Sequence, residues 1–165
     1  PDARFIKLIA ELKPDQVTLV PDSPEVLTSN TGWDTVNNKG FLNEIIQELR
    51  LSGARISVFC NPKISMVEGA AKIEANRIEL YTGAYAQDFV QNPVQALRSF
   101  IEAADVAKKM GLGVNAGHDL DLQNLKHLKK GIPYLAEVSI GHALFCDALY
   151  YGIENTIQMY KRQLQ

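Results

Sequence analysis

At 165 residues, the chain is long enough for one domain with a real core. Its apolar share of 46% and charged share of 22% are those of an ordinary globular protein, and a formal net charge of −2 leaves no basic footprint for nucleic acid. No apolar run approaches the length needed to span a bilayer, so no membrane partner is expected. Pro1-Asp2-Ala3-Arg4 leads straight into an amphipathic stretch without a secretory signal pattern. Cys60 and Cys146 stand alone in apolar contexts without metal-ligand spacing. They read as two reduced thiols in or near the core, and the expected location is the cytoplasm.

The elements alternate along the chain. Phe5, Ile6, Ile9 and Leu12 recur at helical spacing over 3–12. Gln16 to Val20 is a β-branched run closed by Pro21. Phe41, Leu42, Ile45, Ile46 and Leu49 mark a second helix that stops at Ser52-Gly53. A strand over 55–60, a helix over 63–75 and a short strand over 77–80 follow. Asn92-Pro93 reads as an N-cap and first-turn proline, opening a helix that runs to Met110 and ends at Gly111. A strand over 112–116 comes next, then a short helix marked by Leu122, Leu125 and Leu128. The last strand spans 137–140, and a helical pattern continues to the C-terminus.

Strict alternation implies an α/β fold with a parallel sheet and helical crossovers. An open doubly wound sheet and a (β/α)8 barrel both satisfy it. No G-x-G-x-x-G follows the first strand, which argues against dinucleotide binding. There is no internal repeat or interdomain linker.

Candidate chemistry gathers at strand ends. Gly117-His118 and Gly141-His142 each follow a strand and precede a helical pattern. The glycine admits close backbone approach to a ligand, and the histidine adds a group that titrates near neutrality. Together they suggest one ligand site holding an anion and a proton donor. Backbone N–H groups at Gly141 and His142, where the last helical pattern begins, suit an anion. Glu79 alternates with apolar neighbours inside its strand, so it points to the other side of the sheet, where a buried carboxylate suits acid–base work. The segment 21–40 is long, polar and rich in turn formers, among them Asp22, Ser23, Pro24, Ser29, Asn30, Thr31 and Gly32. Loops of this length at the C-terminal ends of strands are commonly functional, and Thr28 and Ser29 are placed to donate to a phosphate or hydroxyl. His127, among Lys126, Lys129 and Lys130, reads as a solvated surface residue. No metal constellation, Walker loop or G-x-S-x-G is present.

Several motifs together resemble the pyridoxine 5′-phosphate synthase family. They are Lys13-Pro14-Asp15-Gln16-Val17-Thr18-Leu19-Val20-Pro21, Glu25-Val26-Leu27-Thr28 with Gly32-Trp33-Asp34, and Glu79 with Thr82-Gly83-Ala84-Tyr85-Ala86. To these are added Val114-Asn115-Ala116-Gly117-His118 and Ser139-Ile140-Gly141-His142-Ala143. The resemblance implies a (β/α)8 TIM barrel, with the five strands read here as its strands four to eight. Residues 1–165 are then a single domain, expected to be the C-terminal part of a longer polypeptide. The implied reaction condenses 3-amino-2-oxopropyl phosphate with 1-deoxy-D-xylulose 5-phosphate to give pyridoxine 5′-phosphate, phosphate and water. No cofactor and no metal are implied. His118 matches the proton donor and Glu79 a residue that stabilises developing charge. Thr28 matches a contact to the deoxyxylulose phosphate, and Gly141 and His142 match contacts to the aminooxopropyl phosphate. Asp119 stands where a binding residue is often glycine, and its carboxylate would repel a phosphate. A homo-oligomer, an octamer by resemblance, is expected, with Trp33, Tyr150 and Tyr151 as candidate contact surface. The competing expectations are another phosphate-binding barrel enzyme and a non-catalytic fragment that only binds phosphate ligands. No strand-end lysine suggests an aldolase.

Overall fold

The computed structural model describes residues 1–23 and 25–165; Pro24, one of the turn formers of the long loop, lies outside the described residues. The first helix, α1 (Ala3–Leu12), starts where the Asp2 carboxylate accepts from the Phe5 N–H at 2.8 Å. It stops at Lys13, which turns left-handed at φ 46. Next come β1 (Gln16–Leu19), α2 (Lys39–Arg50), β2 (Arg55–Cys60), α3 (Ile64–Lys72) and β3 (Arg77–Tyr81). In α2, Leu42, Ile46 and Leu49 form the buried stripe expected of an amphipathic helix. After β3 come α4 (Gly83–Phe89), α5 (Pro93–Lys109), β4 (Gly113–Gly117), α6 (Leu125–Gly131), β5 (Glu137–Ser139), α7 (His142–Tyr151) and α8 (Ile153–Gln163). The start of α5 is as expected: the Asn92 side chain accepts from the Gln95 N–H at 3.1 Å, and Pro93 takes the first turn. Among the described residues, no helix is long and apolar enough to cross a membrane.

The five strands of the described residues are all parallel, in the order β1-β2-β3-β4-β5. A doubly wound sheet reverses its strand order at a switch point; this one never does. Right-handed crossovers that all step the same way put the connecting helices on one face. The sheet therefore curls into a half-barrel. Gln16 on β1 and Asn115 on β4 meet at 3.5 Å, and Arg55 on β2 reaches Glu137 on β5 at 2.7 Å. Each pair is three strands apart, about 14 Å on a flat sheet, too far for an amide pair to span. Strand parity then sorts the residues. Leu19, Ile56, Val58, Ile78, Leu80 and Ala116 are buried beneath the helices. Gln16, Thr18, Arg55, Arg77, Glu79, Asn115 and Glu137 meet on the concave face.

Several expectations need correction. Helix α4 was not anticipated: it has seven residues, begins on glycine and lacks a side-chain cap. β1 ends at Leu19, one residue before Val20, and β4 sits one residue later than read. α3 is shorter than expected, and α6 begins after Leu122. The last strand is Glu137–Ser139, and the C-terminal pattern breaks in two at Gly152, whose φ of 76 ends one helix before the next begins. Cys60 is buried as expected, but Cys146 is exposed, because α7 buries none of its residues. His127 is half buried: its Nε2 donates to the Pro93 carbonyl at 3.1 Å and its ring packs edge-on against Phe89.

Candidate functional site

The concave face carries two polar tiers. Toward the N-terminal ends of the strands, Glu137 is held by Arg55 at 2.7 Å and Arg77 at 3.1 Å, and by the Asn115 amide at 3.2 Å. Arg77 also donates to Asn115 at 2.9 Å, and Arg55 to Gln16 at 2.8 Å. Two guanidiniums around one carboxylate close the floor of the half-barrel.

Above this floor lies Glu79, only 7% exposed. The Thr18 hydroxyl donates to its Oε2 at 3.4 Å, and the Ser139 side chain also hydrogen-bonds to it. Burial pushes the Glu79 carboxyl above its ordinary range, the two hydroxyl bonds pull it back, and the charge of Glu137 raises it again. The carboxylate has room only because residue 117 is glycine. A Cβ there would overlap Glu79 Oε1 and come within 3.0 Å of the Ser139 Cβ.

His118 follows Gly117 directly. Its backbone is left-handed at φ 99, as is that of Asp119 at φ 55, a conformation unusual for residues other than glycine and often found at functional sites. Buried Thr82 secures this strand end: its N–H donates to the Gly117 carbonyl at 2.9 Å, and its hydroxyl donates to the His118 carbonyl. The imidazole packs edge-on against Tyr81, centroids 5.0 Å apart, and Tyr81 packs in turn on Phe59 at 5.6 Å. Burial, then the nearby Asp119 charge, raises the Tyr81 phenol. Thr28 Oγ1 lies 2.9 Å from His118 Nε2, and Asp119 Oδ2 lies 3.0 Å from Nδ1.

The long loop after β1 brings Thr28 there. Gly32 crosses so close to β2 that a Cβ would overlap the Cys60 and Asn61 backbone. Its N–H donates to Asn61 Oδ1 at 3.2 Å, and the Trp33 N–H donates to the Phe59 carbonyl at 2.8 Å. Within the loop, the Ser29 hydroxyl donates to Asp22. Trp33 is half buried against Phe41, whereas Tyr150 and Tyr151 are exposed.

The structure thus draws together Thr28, His118 and Asp119, and packs Glu79 against Gly117, the residue before His118. Gly141 and His142 begin α7, two and three residues beyond Ser139, and both are exposed. Among the described residues, no hydrogen bond or ion pair links them to the other four. No side chain caps α7, so its first N–H groups remain open to an anion. A Cβ at Gly141 would meet nothing within 4 Å, so packing does not demand glycine there. Sequence reading places Thr18, Ser139 and Thr82 in the motifs but gives them no role in the site. The available signal was hydroxyl residues at inward strand positions or just past a strand end. Among the described residues, no group of three or more His, Cys, Asp or Glu is arranged to hold a metal ion. A buried carboxyl with a raised pKa, packed against the residue before a strand-end imidazole, can join that imidazole in passing protons to and from a bound molecule, and an open helix start can hold its phosphate.

The family described as pyridoxal phosphate biosynthesis protein PdxJ matches residues 1–165. The pyridoxine 5′-phosphate synthase of Cytophaga hutchinsonii is 59% identical over 165 residues, covering 100% of this chain and 69% of that protein. Those of Bacteroides fragilis and Christiangramia forsetii are 53% and 49% identical, each covering 100% of this chain and 70% of the relative.

Proposed function

The chain belongs to the PdxJ family of pyridoxal phosphate biosynthesis proteins, and on that premise we propose that it acts as a pyridoxine 5′-phosphate synthase. The substrates are 3-amino-2-oxopropyl phosphate and 1-deoxy-D-xylulose 5-phosphate, and the products are pyridoxine 5′-phosphate, phosphate and water. Condensation, phosphate elimination, dehydration and ring closure each move protons, and none needs a redox cofactor. The observation that carries the reading is Glu79, buried in mid-strand beside the Thr18 hydroxyl and packed against Gly117, the residue before His118. His118 serves as proton donor, and Glu79 stabilises charge that develops in the transition state. Thr28 contacts the deoxyxylulose phosphate. Gly141, His142 and the open start of α7 hold the aminooxopropyl phosphate, and the main chain of Asp119 adds a further contact.

In this reading β1 to β5 are strands four to eight of a (β/α)8 barrel, and residues 1–165 are the C-terminal part of that domain. The match to about 70% of each relative's length supports it, as does the strand order without reversal. Phosphate sites of such barrels commonly follow strands seven and eight, where Gly117-His118 and Gly141-His142 would lie. The working form is a cytoplasmic homo-oligomer, an octamer as in the family, and the exposed apolar residues Phe145, Leu149, Tyr150 and Tyr151 on α7 suit burial in an assembly.

His118→Asn tests the assignment. Its kcat for pyridoxine 5′-phosphate should fall by about 10²- to 10⁴-fold while substrate affinity by calorimetry holds, because a proton donor acts in the transition state. An unchanged kcat would remove His118 from the chemistry. A wild-type protein that binds both phosphates without forming product would instead support a binding protein.

A further inference from the structure

The turn 117–124 leaves one polar atom unexplained. His118 Nδ1 is sealed from solvent and makes no aligned hydrogen bond, while its other nitrogen faces Thr28 Oγ1 at 2.9 Å. The acidic oxygen within ion-pair distance of Nδ1 is Asp119 Oδ2, at 3.0 Å. A buried ring nitrogen left without a partner is unfavourable, and this carboxylate is the acceptor at hand.

We infer that the Asp119 carboxylate is a positioning residue for His118: it holds the proton on Nδ1, so that the ring exchanges its mobile proton through Nε2. This rests on His118 being the acid–base group, and it extends that reading to the residue that sets its tautomer. A carboxylate only accepts, so its partner nitrogen carries the hydrogen. Nε2 is then the free acceptor in the neutral ring, and the Thr28 hydroxyl donates to it. When Nε2 takes up a proton, the same carboxylate stabilises the imidazolium. Other acid–base imidazoles are oriented by a third group in the same way.

The local backbone supports the assignment. At φ 55, Asp is among the few residues besides glycine that adopt the conformation readily. The turn is rigid: the Asp119 carbonyl accepts from Asn124 Nδ2 at 3.1 Å, and the Asn124 carbonyl accepts from the buried Tyr85 hydroxyl at 2.7 Å. The pairing also removes a difficulty. A free carboxylate beside a phosphate site repels its ligand, whereas one engaged with an imidazole repels it less.

The test uses the intact protein, with 15N NMR of the histidine rings and steady-state kinetics on Asp119→Gly and Asp119→Asn. Glycine suits φ 55, so the first variant removes the carboxylate without straining the turn. In the wild type the neutral His118 ring should carry its hydrogen on Nδ1, and in Asp119→Gly that preference should disappear. The kcat of Asp119→Gly should fall by about ten- to a hundredfold, part of what a positioned proton-transfer group contributes. KM for both substrates should stay within about twofold. Asp119→Asn, whose amide oxygen still accepts, should keep the tautomer and recover part of the rate. An unchanged tautomer in Asp119→Gly would overturn the inference, as would a raised KM for one phosphate with kcat retained, which marks a substrate contact instead. His118→Gln run alongside separates the cases: if it retains full kcat, the reading of His118 itself has failed.

Discussion

Glu79 and Gly117 share one small volume, and neither residue type is free to change without affecting the other. Burial raises the Glu79 carboxyl above its ordinary value of 4.5, so the folded protein binds that proton more tightly than the unfolded chain does. The stabilisation from this tighter binding is complete below the unfolded value and is lost as pH rises through the raised folded one. Glu79→Gln, which stays neutral, escapes the loss. Thermal unfolding from about pH 4 to about pH 8 should show similar Tm values for variant and wild type at the acid end, and a widening advantage for the variant as pH rises. Turnover of the variant should drop over the same range. A Tm difference that does not vary with pH would mean that Glu79 is not held in a raised state. Parity within its strand was enough to place Glu79 on the inward face. Its partners Thr18 and Ser139 were not legible, because a single hydroxyl residue on a strand carries no local sign of what it will bond. Only the curl of the sheet brings β1 and β5 close enough to bond the same carboxylate.

At the scale of elements, the two glycine–histidine strand ends are built differently. Gly117 and His118 close a strand whose turn is braced by Thr82 from the neighbouring loop and by Asn124 just downstream. Gly141 and His142 open an uncapped helix with free space around the glycine. Gly141→Val should therefore leave the fold intact and act on binding alone, by blocking backbone approach to a phosphate. Losing hydrogen bonds to a charged group, worth about 1.5–3 kcal/mol, should weaken calorimetric affinity for the aminooxopropyl phosphate by about ten- to a hundredfold. Unaltered affinity would move the phosphate elsewhere. Element order and most boundaries could be read from hydrophobic periodicity and capping residues, as at Asn92-Pro93. The short α4 could not, since seven residues without a cap give little periodic signal. The exposure of Cys146 was hidden for another reason: its apolar neighbours on α7 resemble core, and they remain uncovered in this chain.

For the whole molecule, the sheet order is the deciding feature. Among the described residues, five parallel strands added in sequence, with the connecting helices outside, force a concave polar face whose rim gathers residues from β1, β3, β4 and β5. Alternation of elements alone was compatible with a doubly wound sheet as well; the choice depends on long-range pairing that local sequence does not encode. Among the described residues β1 and β5 lie at the edges of the sheet, and in the proposed barrel those edges meet the remaining strands. The central claim is that this rim makes pyridoxine 5′-phosphate. The most direct test supplies the intact protein with 3-amino-2-oxopropyl phosphate and 1-deoxy-D-xylulose 5-phosphate and measures pyridoxine 5′-phosphate together with released phosphate. The account predicts that both form in equal amounts and that both are lost in His118→Asn. Folded protein that forms neither would contradict it, and phosphate released without the pyridine product would point to a different reaction on the same scaffold.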